Sequence, residues 1–399
     1  MRVSRRGPAA ALALAASCAL FALAFRSPAL THRLSNRLDR FLAATLDGPL
    51  PDGRYLYTAR EGALYVYDIA AGHRLAATLL QLPIHYPRGI AAHAATGRLW
   101  VAHHGRPFPT PQNPRGQILC LDLRTHRVLW NRTYVPGIDS VQVTPDGQRL
   151  YFGYGESGSR GGWIVINAQT GDEITHLPFV PGTHNLIIPH AGGRAYLTSL
   201  KHRMLALLDT STNTVEREVG PFAAGIRPIT VNRAQTLFFA TVDLLSGFQV
   251  ADLATGKVIH SVQVRGFPWV DPQPPATQSH GIALSPDESQ VWIVDGHNRM
   301  VHGFDVRGLP ASPPRQFASV DVRDPLDPEN LPKWLNFSRD GAWLNVSTGH
   351  VIDTKTRSAA LKFRSTRYFL EVEWRGGRPL HAYSRYGLGY AGLADPRAE

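Results

Sequence analysis

The chain predicts an all-β fold in which seven four-stranded antiparallel sheets are arranged radially as a β-propeller, closed by a C-terminal hairpin. Three observations carry this expectation. A hairpin pattern recurs at intervals of roughly forty to fifty residues. A second signature, an apolar strand ending in Asp or Asn before a polar turn, follows each copy. No long helix-period segment interrupts the series.

The hairpin copies, in chain order, are "DGPLPDGRYLYTARE" (47–61), "IAAHAATGRLWVAHH" (90–104), "VQVTPDGQRLYFGYG" (141–155), "LIIPHAGGRAYLTSL" (186–200), "ITVNRAQTLFFATVD" (229–243), "IALSPDESQVWIVDG" (282–296) and "LNFSRDGAWLNVSTG" (335–349). Each joins a strand of alternating polarity to a second strand through a tight turn of Pro-Asp-Gly type. The second strand carries an aromatic at a fixed place: Tyr57, Trp100, Tyr151, Tyr196, Phe239 and Trp292, with Asn345 the exception. The turn signature supplies Asp68, Asp122, Asn167, Asp209, Asp252, Asp305 and Asp353. Such side chains accept hydrogen bonds from backbone two residues on and so cap their own turns. One turn per sheet implies seven four-stranded units.

The stretch "LEVEWRGGRPLHAYS" (370–384) reads as a further first hairpin with no Asp turn after it. The mismatch predicts a composite blade, in which C-terminal strands complete the blade begun near residue 47 and leave no open ring edge. An eight-bladed ring is the alternative. Strand endings such as "LYFGYG", "VWIVDG" and "AYLTSL", set between Ser/Thr-Pro-Asp turns and D-x-x-T-G-x turns, resemble the bacterial YVTN-type β-propeller repeats over about residues 45–385. The resemblance implies an exported seven-bladed propeller akin to the superfamily that also holds amine-dehydrogenase heavy chains and lactonase propellers. Motifs of this kind specify fold far more than function.

Ahead of the propeller, Arg2, Arg5 and Arg6 precede an uncharged run from Gly7 to Phe25, closed by Arg26. This is the pattern of a signal peptide or an N-terminal membrane anchor. The expected organisation is therefore an export segment over 1–40, the propeller over 41–390 and a tail over 391–399. A periplasmic or extracellular location follows, with residues 7–25 as a tether if they are not cleaved. The formal charge of +11 is concentrated here: residues 1–40 hold seven Arg and one Asp, leaving +5 for the rest. That balance, with no Lys/Arg block, excludes nucleic acid as the expected partner. Cys120 is the single cysteine beyond the export segment, so no internal disulfide is available there and a small core residue is expected.

Propeller geometry brings one kind of loop to one face. The innermost strand starts on the same face that receives the loops between second and third strands, here termed the top. The position two residues before each repeat start should project at the channel mouth. It holds Arg88, Asp139, His184, Arg227, His280 and Lys333, with Tyr368 from the C-terminal copy. A polar, cationic and His-rich funnel is expected, and His297 falls on the same face. The long segments 104–116, 266–279 and 322–333 also arrive there, with Phe108, Phe267 and Trp269 as candidate walls.

Three chemistries compete for this funnel. Arg88, Arg227 and Lys333 with His184 and His280 suit a small anionic ligand, so Arg88, Asp139, His184, Arg227, His280, His297 and Lys333 are the expected binding residues. The alternative is a metal-independent, lactonase-like hydrolase in which His184 or His280 acts as general base and an arginine steadies the oxyanion. A metal could recruit His184, His202, His280 and His297, with Asp295 beside them, but they lie on two non-adjacent blades without HxH or HExxH spacing, so none is expected. No cofactor is expected either: the docking turn of quinone-dependent alcohol dehydrogenases places Trp eight residues after the Asp, which only Trp130 meets. The expected reading is an exported, monomeric binding or scaffold module for a small anion or another exported protein.

Overall fold

The computed structural model describes residues 44–45, 48–106, 109–110, 114–156, 158–269, 278–366 and 368–383. The expected export segment over 1–40, Phe108 and the expected tail over 391–399 lie outside the described residues. The described chain is all strand and turn, and its strands form seven sheets. From blade one to blade seven the innermost strands are Tyr368–Arg375, Pro87–His93, Val141–Val143, Thr183–Ile187, Ile226–Val231, Ile282–Leu284 and Leu335–Phe337. Successive innermost strands face one another around the axis, and apolar clusters fill the gaps between the sheets. Cys120 is fully buried in one of these clusters, as a small core residue should be.

Blade one is composite, but its order differs from the simplest expectation. The segment before Gly53 contributes no innermost strand. Tyr368–Arg375 takes that place, pairing antiparallel with Gly53–Arg60, while Arg378–Tyr383 adds on its other side. Ala44–Thr45 pairs in parallel with Arg74–Leu79 at the outer edge. The seam is fastened by charge: the Arg54 guanidinium donates to Glu371 on the C-terminal strand and to Asp340 in blade seven, and Glu371 accepts from Arg339 N at 3.0 Å. Both ends of the chain are thus tied to the last blade. The inner edge of Gly53–Arg60 is thereby paired, and the sheet runs on to Arg378–Tyr383.

The periodic aromatic has a specific task. Trp100 Nε1 donates to Ala168 O at 3.0 Å, Tyr151 OH to Asn213 Oδ1 at 2.6 Å and Tyr196 OH to Gln235 Oε1 at 2.9 Å; each bond reaches a turn of the following blade. Tyr57 OH lies 2.9 Å from His126 Nε2 in the same relation. The side chain buries apolar area between sheets while its polar tip pins the neighbour. At Asn345 the pairing is inverted. Blade one presents an aromatic ring, His73, which packs on Trp343 and Phe363 and lies beside the Asn345 amide. The Asp turns close as expected: Asp122 Oδ1 accepts from Arg124 N at 2.9 Å and Thr125 N at 2.8 Å, and Asp252 and Asp353 repeat the pattern.

Burial pushes the imidazoles of His73, His103 and His126 down to about 4. These groups are neutral in the fold and take up protons on unfolding at any pH between about 4 and their ordinary value near 6.5. The unfolded state then binds more protons, so stability is full above about pH 6.5 and falls as pH drops toward 4. Urea midpoints measured across this window should decline steadily, and His73→Phe should flatten the slope. A midpoint independent of pH from 7 to 4 would contradict the assignment.

Candidate functional site

The expected ring residues stand at the starts of the innermost strands because glycine lets those strands approach closely. A Cβ on Gly89 would lie 2.9 Å from Val141 N of the next blade, and one on Gly281 would lie 2.8 Å from Lys333 O. Each glycine follows a ring residue, Arg88 and His280. The tight inner radius brings the neighbouring side chains into contact rather than leaving them around an open pore.

The contacts close on themselves. Arg88 donates to Asp139, whose second oxygen accepts from His184 Nδ1 at 3.0 Å. The His184 and His280 rings meet edge to face at 5.5 Å, His280 meets Trp334 at 4.8 Å, and Trp334 meets Tyr368 at 5.9 Å. Tyr368 in turn lies near enough to act on the Arg88 charge. Asp139 and Tyr368 are 3% exposed, His184 4%, Trp334 6% and Arg227 8%, so the mouth is a packed polar core rather than the open funnel expected. Six bulky side chains at a seven-blade radius fill it.

Charge within this core is compensated. Arg88 also donates to Glu156, and Arg227 Nε donates to Asp243 Oδ1 at 2.6 Å. Burial alone would lower the proton affinity of Arg88, but Asp139, Tyr368 and Glu156 outweigh it and raise it further. Burial opposes ionisation of Asp139, yet Arg88 and then His184 hold its carboxyl below the usual range. Two of the three cations expected to receive an anion are therefore already paired. Glu156 and Asp243 come from loops between second and third strands, and Trp334 sits one residue after the periodic position, so the repeat alone did not single them out.

His184 Nδ1–H donates to Asp139, and its Nε2 is buried without a partner among the described residues. His280 is oriented alike, Nδ1–H donating to Lys333 O at 3.0 Å. Burial first, then the charges of His184 and Arg227, drives its imidazole well below the ordinary range and keeps it neutral. A carboxylate-oriented imidazole with a free Nε2 is the core of a general base.

The remaining candidates do not join the ring. His202 Nε2 pairs with Glu218 at 2.9 Å on the outer part of blade four, and His297 lies half-buried on a turn of blade six with no bond to the ring among the described residues. The neighbouring Asp295 is committed to Asn298, Gln278 and His302. The four histidines weighed as metal ligands thus do not converge. A different trio does: ligand atoms of Asp139, Glu156 and His184 lie within 4.8 Å of one another. The donor set suits a divalent ion, but Arg88 bonds both carboxylates and puts its own cation between them.

Open space lies beside the axis. A cavity of about 320 Å³ on the top face is bounded by blades seven, one and two, with Arg60, Glu61, Tyr86, Glu329 and Lys333 among its walls. Lys333 is the one expected binding residue that reaches it.

No family model and no curated protein matches the chain. Solved structures do match in fold. A candidate 6-phosphogluconolactonase of Bacteroides fragilis superposes with a TM-score of 0.62 at 13% identity, covering 83% of this chain and 99% of its own. Hydrazine synthase of Kuenenia stuttgartiensis gives 0.54 at 15% identity over 69% and 78% of the two chains. A dihydro-heme d1 dehydrogenase in complex with DHE gives 0.55 at 12% identity over 87% and 75%. At these identities the likeness is one of architecture, and propellers of one architecture host unrelated chemistry.

Removing Arg88 leaves two carboxylates facing each other without a counter-charge. Arg88→Ala should cost about 3–5 kcal/mol in urea unfolding, and millimolar Zn²⁺ should restore part of it by occupying the vacated trio. EDTA should leave the wild-type melting temperature unchanged, because Arg88 supplies the compensation. A wild-type protein destabilised by EDTA would contradict this.

Proposed function

We propose that the chain is an exported binding propeller, and that it receives a small anionic ligand on its top face in the cavity between blades seven, one and two. The observation that carries the proposal is a cavity beside an axis of buried side chains, with Arg60 and Lys333 in its walls. The axial cations Arg88 and Arg227 face carboxylates, and Lys333 is exposed and lines the cavity. The uncharged run at residues 7–25 after three arginines supports export or tethering, and the repeat motifs support a place among YVTN-type propellers.

A hydrolase is the second reading, favoured by one feature: Asp139 orients His184 through Nδ1 and its Nε2 has no partner among the described residues. The ring leaves this nitrogen buried against Trp334 and His280, so water and substrate must enter a packed core. A screen of small carboxylates, phosphate esters and lactones by thermal shift, with lactone hydrolysis followed in parallel, separates the two. Binding at the cavity predicts that an anion raises the melting temperature, that Lys333→Glu removes the effect, and that no lactone turns over. Turnover abolished by His184→Ala, with anion binding unaffected, would establish the hydrolase instead. Unchanged melting temperature with every compound would overturn the binding proposal.

A further inference from the structure

Three arginines near the top face or the seam are removed from solvent with carboxylates beside them: Arg54 has Glu371 and Asp340, Arg88 has Asp139 and Glu156, and Arg227 has Asp243. Arg60 has none among the described residues. Its guanidinium donates to the Ser365 carbonyl, and the charge nearest it is another cation, Arg364. Burial, reinforced by Arg364, lowers its proton affinity, the reverse of what the paired Arg54 and Arg88 show. A half-buried guanidinium without a counter-charge is costly unless something supplies one.

The groups around Arg60 have the polarity to hold that counter-charge. Ser347 Oγ accepts from Lys333 N at 2.8 Å and Trp334 N at 3.1 Å, which leaves its O–H free to donate into the cavity. The Ser365 hydroxyl also lines the cavity, and no bond to it is made among the described residues. Glu61, the acid beside Arg60, already accepts from His85, from Tyr86 N at 2.8 Å and from Arg106. Glu329 stands exposed in the wall and disfavours an anion at its own side, which places the anionic end of a ligand toward Arg60, Ser347 and Ser365.

The cavity also lies where the two ends of the chain meet. Arg60 ends the N-terminal strand Gly53–Arg60; Ser365 and Thr366 lead into the C-terminal strand Tyr368–Arg375 that completes the same blade. Two bonds cross here, from Arg60 to Ser365 O and from Thr366 Oγ1 to Ala59 O at 3.0 Å. We propose that an anion with several oxygens, a phosphate or a polycarboxylate, bridges Arg60 to the Ser365 segment and to Ser347 and Lys333 of blade seven, and so clamps the ring at its seam. The clamp rests on the binding reading given above and adds the ligand's class and its effect. A monocarboxylate presents its two oxygens on one side only, whereas a phosphate or a polycarboxylate presents acceptors toward several walls at once.

Binding that requires a closed seam suppresses its opening. Amide exchange in residues 368–375 by an opening that releases the anion should slow by a factor of one plus the ratio of ligand concentration to Kd, about a hundredfold at one hundred times Kd. The experiment compares citrate, inorganic phosphate, acetate and chloride at matched ionic strength, in the wild type, Arg60→Gln and Lys333→Gln. Gln at 60 retains a donor but no charge, and Lys333 is exposed, so its variant tests the site without disturbing the seam. The expected result is slower exchange with citrate or phosphate in the wild type, none with acetate, and loss of the effect in both variants. Citrate or phosphate that binds without slowing exchange overturns the clamp and leaves the binding reading intact. Equal protection in Arg60→Gln makes it a general salt effect and overturns the clamp as well. If no anion binds the wild type, both fall.

Discussion

Arg54, Glu371 and Asp340 form the junction on which the architecture depends, because they join the first complete strand, the last innermost strand and the last blade at one place. Until blade one acquires Tyr368–Arg375, its inner edge and the flank of blade seven are unpaired and their apolar faces are wet. The close approaches at Gly89 and Gly281, and through them the contact circuit at the mouth, exist only when the circle is complete. Closure is therefore a condition of the site as well as of the fold.

Closing at this radius has a chemical consequence. Side chains that would line a wide channel are driven together, and charged groups can share so small a space only if they neutralise one another. Arg88 is neutralised by Asp139 and Glu156, and Arg227 by Asp243, while His280 stays uncharged. The axis becomes a polar core whose groups serve each other, with His184 Nε2 as the one imidazole nitrogen of the ring that is buried without a partner among the described residues. Open space lies outward at the seam, where Arg60 lacks the carboxylates that Arg54, Arg88 and Arg227 possess.

The fold was legible because β-propeller periodicity is written in local chemistry. Asp122 caps its own turn, Trp100 and Tyr151 reach the next blade, and each needs only its near neighbours in sequence to be recognised. The positions of Arg88, Asp139, His184 and His280 were legible for the same reason, since strand direction fixes where they emerge. Their partners were not. Glu156 and Asp243 lie in loops whose conformation the repeat does not constrain, and Trp334 departs from the periodic position by one residue, so the expected open funnel emerged as a filled one. The cavity was less legible still, because its walls come from three blades and from both ends of the chain.

A crystal structure of the propeller grown in citrate or phosphate is the most direct test. The account predicts an ordered anion in the off-axis cavity, touching Arg60 and Ser347, with the contact circuit from Arg88 to Tyr368 intact and the axis unoccupied. An anion seated on the axis between His184 and His280, with the Arg88–Asp139 pair broken to admit it, would contradict it.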